Sequence, residues 1–68
     1  MELGNHLKKL RFEHEGISQQ ALANAVGVTR LTIHSIENEK FNPSTLLALK
    51  IARFFDIPLE EVFFIKTD

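Results

Sequence analysis

The 68-residue chain has no cysteine, no tryptophan and no tyrosine, and only two prolines and three glycines. Without cysteine there are no disulfide staples and no thiolate zinc sites, the usual supports of very small domains. Apolar packing or oligomerisation has to supply the stability instead. Long hydrophobic runs are missing too: Lys50, Arg53 and Asp56 interrupt the apolar region well short of the roughly 20 residues of a membrane span. The start, Met1-Glu2-Leu3-Gly4-Asn5, places no positive segment ahead of an apolar one and so does not resemble a signal peptide. A cytoplasmic protein is expected. The sequence carries no Gly-rich phosphate loop and no nucleophile motif, and His6, His14 and His34 do not share the i, i+4 spacing of a helical metal pair. Glu60 and Glu61 are adjacent, hence on different azimuths of a helix, and suit first-turn carboxylates favoured by the dipole better than an acid/base pair. Neither catalysis nor a metal nor a cofactor is expected.

What is present is an apolar content of 44%, including six phenylalanines, which is enough for a core and argues against disorder. The formal net charge of −1 conceals a gradient. Residues 1–55 carry seven Lys/Arg against five Asp/Glu, whereas residues 56–68 carry one Lys against four acids. Local fields decide more than the sum, so a nucleic-acid partner stays open, with modest non-specific affinity.

Hydrophobic spacing and capping residues divide the chain into helices. Leu3, Leu7 and Leu10 recur at i, i+4 and i+7 and predict a first helix over 3–14, ended by Gly16. Ser18 is an N-cap for a second helix whose apolar face is Leu22, Ala23 and Val26, closed by Gly27. Only Val28 separates Gly27 from the next cap, Thr29, a turn about as short as a helix-turn-helix permits. A third helix follows from Arg30 to about Asn38. Ser44 caps a fourth helix that continues to Phe55, and Pro58 opens a fifth through Phe63 or Phe64. No strand-like alternation is visible. The expectation is an all-α, compact five-helix bundle forming a single domain over 1–68, with the helix-turn-helix at about 18–38.

At about 100° per residue, Ile33 and Ile36 set the inward direction of the third helix, which turns Arg30, Leu31, His34 and Ser35 outward. These side chains suit the DNA major groove: arginine can bridge O6 and N7 of guanine, serine and threonine can pair with several base edges, and leucine can touch a thymine methyl. They equally suit an ordinary solvated helix face, since Arg, His and Ser are common on surfaces. The exposed Leu31 beside Arg30 favours a contact surface.

The stretch "ISQQALANAVGVTRLTIHSIENEKFNPS" (17–44) resembles the helix-turn-helix of lambda-repressor/Cro-type (Xre) regulators, and "LALKIARFFDIPLEEVF" (47–63) is similar to the closing part of their five-helix domain. "LKKLR" at 7–11 belongs to the same pattern, so the resemblance covers nearly the whole chain. It implies that Gln19 holds a backbone phosphate at the start of the second helix, where free N–H groups favour an anion. Arg30, Leu31 and Ser35 would occupy base-reading positions, with Thr29 and Thr32 beside them and His34 near the DNA backbone. Asn38, Lys40 and Asn42 would grip phosphate. Arg11 and Glu37 match positions where such domains pair a buried arginine with a glutamate. Two residues depart from the pattern. Glu39 stands where many members have glycine, leaving Asn38 to supply any left-handed backbone there. Leu31 stands where a polar base reader is frequent, which shifts expected readout toward methyl contact and shape.

The fourth helix carries Leu46, Leu47, Ala48, Ile51, Ala52, Phe54 and Phe55 over an arc wider than one core face needs. Ala48, Ile51, Ala52 and Phe55 are expected inside. Phe54, Leu46, Phe64 and Ile65 are candidates for a homodimer interface, since two headpieces related by a twofold axis can dock successive major grooves about 34 Å apart on a palindrome. The leading expectation is a sequence-specific, homodimeric regulator binding double-stranded DNA. The alternative is a protein-interaction module, antitoxin- or adaptor-like, that uses Leu31, Phe54 and Phe64 on the same fold; Glu39 and the acidic C-terminal segment motivate it.

Overall fold

A computed structural model describes residues 1–67. Its elements are strand β1 (Glu2–Asn5), helices α1 (Leu7–Glu13), α2 (Gln19–Val26), α3 (Arg30–Glu37) and α4 (Thr45–Phe55), a single 3-10 turn (Leu59–Glu61) and strand β2 (Phe63–Lys66). The capping logic is seen directly. The hydroxyl of Ser18 accepts from the backbone N–H of Ala21, that of Thr29 from Thr32, and that of Ser44 from Leu47. Gly27 closes α2 at φ +79°, where a side chain would be strained. The left-handed residue that ends α4 is Asp56, at φ +57°.

The five-helix, all-α expectation is corrected at both ends of the chain. Residues 2–5 are extended, α1 begins only at Leu7, and it stops at Glu13, ahead of Glu15 and Gly16, both of which are left-handed. The expected fifth helix is reduced to one 3-10 turn, after which the chain runs out as β2. The two strands pair antiparallel, Glu2 opposite Lys66 and Asn5 opposite Phe63. Local chemistry explains the change. Gly4 and Asn5 are poor helix residues, while Phe63, Phe64 and Ile65 favour a pleated, half-buried surface. Leu3 still packs against the core, but from a strand.

Gly4 lies opposite Phe64, and the ring of Phe64 covers it. A Cβ at Gly4 would stand 2.5 and 2.6 Å from two atoms of that ring and 2.9 Å from Cγ of Lys66. Gly4→Ala is therefore expected to push the ring aside and cost about 1 kcal/mol, the low end for overpacking because a side chain can yield. Thermal unfolding should show the loss, and an unchanged melting curve would contradict the account.

The core is built on six fully buried side chains, Leu7, Leu22, Ile33, Ile36, Ile51 and Val62, to which Ala48, Ala52 and Phe55 add from α4. The sheet is tied to α3 as well as to itself. The Asn5 amide donates to the carbonyl of Ile36 at 2.9 Å, and its oxygen accepts from the N–H of Leu7 at 3.1 Å. One side chain thus starts α1 and pins the C-terminal end of α3.

Candidate nucleic-acid interface

Helices α2 and α3 pack on each other across the turn Gly27-Val28-Thr29. Because Ile33 and Ile36 are buried, the opposite face of α3 is fixed by helical geometry. Arg30, Leu31 and His34 are exposed there, with Thr32 and Ser35 half-buried at the margins. Leu31 keeps 64% of its surface in solvent. The start of α3 is tied twice: the Thr29 hydroxyl accepts from the backbone N–H of Thr32 at 3.3 Å, and the two threonine hydroxyls lie 3.1 Å apart.

Behind this face runs a hydrogen-bonded network. Arg11 grips Glu37 through two nitrogens, Nε to Oε2 at 2.6 Å and Nη2 to Oε1 at 3.0 Å, and donates its third group to the carbonyl of Ile17 at 2.8 Å. Gln19 donates to Oε1 of Glu37 at 3.1 Å, and its own Oε1 accepts from Arg30 at 3.3 Å. Nδ1 of His34 lies 3.4 Å from the Gln19 amide nitrogen, and Asn38 donates to the His34 carbonyl at 2.9 Å. Arg11 and Glu37 lock α1 onto α3 as the resemblance implied. Gln19 carries more than a phosphate role requires: it links the buried pair to the side chain expected to read a base, a connection that one-dimensional spacing does not show.

The hydrogen bond that Arg11 donates to Glu37 raises the arginine's pKa above its ordinary value, and the one that Lys66 donates to Glu39 does the same for the lysine. Both are basic groups shifted upward, so the stabilisation they report is complete below their unfolded pKa values and lost only in strong alkali. Neither shift should therefore make stability vary with pH around neutrality.

The loop after α3 differs from expectation. Asn38 has φ −89°, and Glu39 itself adopts the left-handed conformation at φ +60°. Its carboxylate reaches back to Lys66 on β2 at 2.7 Å, which offsets a negative charge close to the proposed phosphate path. Glu39→Gly is expected to raise the unfolding free energy by about 0.5 kcal/mol, relief of the backbone outweighing the greater unfolded-state freedom of glycine. Glu39→Ala, which keeps the strained backbone, should lower it; chemical denaturation of the two variants checks the opposite signs. Lys40 and Asn42 are both exposed. Both border a cleft with Met1, Glu2 and Leu3, and Lys40 also borders one with α3. Phe41, between them, is half-exposed and was not foreseen; an aromatic residue in a polar loop was the available signal.

Two helices joined by the three-residue turn Gly27-Val28-Thr29, the second presenting a polar and aliphatic face outward, define a helix-turn-helix domain. The helix-turn-helix family HTH_3 matches residues 7–62. The chain belongs to this family, the lambda-repressor-like (Xre) DNA-binding transcription regulators. It is 44% identical over 64 residues to an HTH-type transcriptional regulator of Methanocaldococcus jannaschii, covering 94% of this chain and 96% of that one. The same identity and coverage hold for the regulator YgzD of Bacillus subtilis. The control protein C.MunI of a Mycoplasma species is 40% identical over 63 residues, which is 93% of this chain and 85% of that protein. Among solved structures, the restriction-modification controller protein C.AhdI of Aeromonas hydrophila superposes with a TM-score of 0.71 at 34% identity, over 81% of this chain and 78% of the other. Among the described residues no helix is long and apolar enough to cross a membrane.

Proposed function

We propose that the protein is a sequence-specific transcriptional regulator that binds a palindromic operator as a homodimer, with α3 of each subunit in the major groove. The observation that carries the reading is the division of α3 into a buried isoleucine edge and an outward face of Arg30, Leu31 and His34, with Thr32 and Ser35 at its margins. Arg30 reads guanine, Ser35 and Thr32 reach neighbouring base edges, and Lys40 and Asn38 meet phosphate. Thr29 and His34 flank the readers. Gln19 meets phosphate near the start of α2 and orients Arg30 from behind. Asn42, which shares a cleft with Lys40, meets phosphate beside it.

Dimerisation is supported by apolar surface that the subunit leaves uncovered. Leu46 and Leu49 project from α4, bordering a cleft of about 530 Å³ that Ile57 and Leu59 also line. Ile65 is exposed on β2. Phe54 is less available than expected, because it packs edge-on against Phe55 at 5.0 Å between ring centres and on His14 at 5.4 Å. Phe64 is largely occupied in covering Gly4 and stacking on His6 at 4.6 Å.

Selection from random duplexes tests the reading. An enriched palindrome is expected, with half-sites one helical turn apart and binding that weakens steeply with salt. Sedimentation should give a dimer that Leu46→Glu converts toward monomer. No enrichment even at low salt, together with a stoichiometric protein partner, would favour an interaction module instead.

A further inference from the structure

Phe41 is 50% exposed and lies outside the set of residues packed against the core. It lines one shallow cleft of about 360 Å³ with Leu31, Thr32, Ser35 and Lys40. Leu31, the other exposed apolar side chain on this side of α3, forms part of the same wall. Two apolar side chains therefore border a concavity whose other members are two hydroxyls and an ammonium group. The cleft is continuous with the base-reading row, because Leu31, Thr32 and Ser35 belong to both. Its occupant has to combine a small apolar projection with polar edges and a nearby anion.

On the major-groove edges of the four bases the one apolar projection is the methyl at C5 of thymine. Cytosine methylated at C5 presents the same group at the same place. We infer that Leu31 and Phe41 together clamp the 5-methyl of a pyrimidine, which makes Phe41 a specificity-determining residue contributed by the loop rather than by the helix. The inference rests on the DNA-binding reading above and names one feature of the operator. Lys40 holds the phosphate of the strand that carries this base, and Thr32 or Ser35 meets its polar edge. Recognition then follows the methyl rather than the base, so 5-methylcytosine substitutes for thymine better than cytosine does.

The test uses the full chain and the duplex recovered by selection. Each thymine is replaced in turn by deoxyuridine, which removes only the methyl. At one thymine per half-site the replacement should weaken binding by the wild-type protein about fourfold, the factor one buried methyl group is worth. For Phe41→Ala and Leu31→Ala the same replacement should change affinity by less than about 1.5-fold, while Phe41→Leu retains most of the discrimination. At that position 5-methylcytosine should bind more tightly than cytosine to the wild type alone. Circular dichroism melting of each variant separates lost contact from lost fold. Uniform tolerance of deoxyuridine, or sensitivity unchanged in Phe41→Ala, overturns the clamp while leaving sequence-specific binding intact. Failure to recover any preferred duplex overturns both.

Discussion

Glu37→Ala is expected to lower the unfolding free energy by about 3 kcal/mol, a large share of what a domain of this size commonly has in total. The side chains of Glu37 and Arg11 are only 6% and 15% exposed, and the carboxylate accepts from Arg11 twice and from Gln19 once. Removing it leaves a guanidinium short of water and without its counter-charge, which costs far more than the pair contributes relative to apolar residues of the same volume. Replacing both partners, Arg11→Met with Glu37→Leu, should for that reason cost less than Glu37→Ala alone. Urea unfolding followed by circular dichroism measures both. A loss below about 0.5 kcal/mol for Glu37→Ala would place the pair among ordinary surface salt bridges. The damage should also reach function, because Gln19, the side chain that holds Arg30, loses its anchor on Glu37.

Arg30→Ala should leave the fold unchanged and weaken binding to the selected operator by about 1–3 kcal/mol, roughly 5- to 150-fold. Arg30 is exposed, and within the protein it donates to Gln19 at a long 3.3 Å, so little stability depends on it. The loss should fall on one base position per half-site. Affinity for unrelated duplexes should change little, apart from the one phosphate-attracting charge removed. Gln19→Ala is expected to differ in kind: it should weaken all sequences through the proposed phosphate contact and add a partial loss of discrimination, because Arg30 loses its hydrogen-bond partner. Repeating the selection with each variant distinguishes the two patterns.

Much of this architecture could be read in one dimension, because its causes are local. Ser18, Thr29 and Ser44 each stand immediately before an apolar-periodic segment, and each caps a helix; Ile33 and Ile36 set the face of α3 with no help from the rest of the chain. The errors arose where the cause is remote. Leu3, Leu7 and Leu10 satisfy a helical period, yet Leu3 belongs to a strand whose partner, Ile65, is at the other end of the chain. No local period reports a pairing at that separation. The same is true of Glu39. Its left-handed backbone is the conformation for which glycine is usual at that place in the loop, and its partner Lys66 is again on β2. The site was legible as a face but not as a network, since the links from Arg11 through Glu37 and Gln19 to Arg30 join α1, α2 and α3. Phe41 went unassigned because the loop's path beside Leu31 is a tertiary fact.

The central claim is that the outward face of α3 meets the bases. Titrating the isotope-labelled protein with the selected duplex and following amide and side-chain resonances tests it most directly. The account predicts that the largest changes fall on Arg30, Leu31, Thr32 and Ser35, with the Arg30 guanidinium protons becoming protected from exchange. Changes confined to α4 and β2, around Leu46, Leu49 and Ile65, with α3 left as in the free protein, would contradict it.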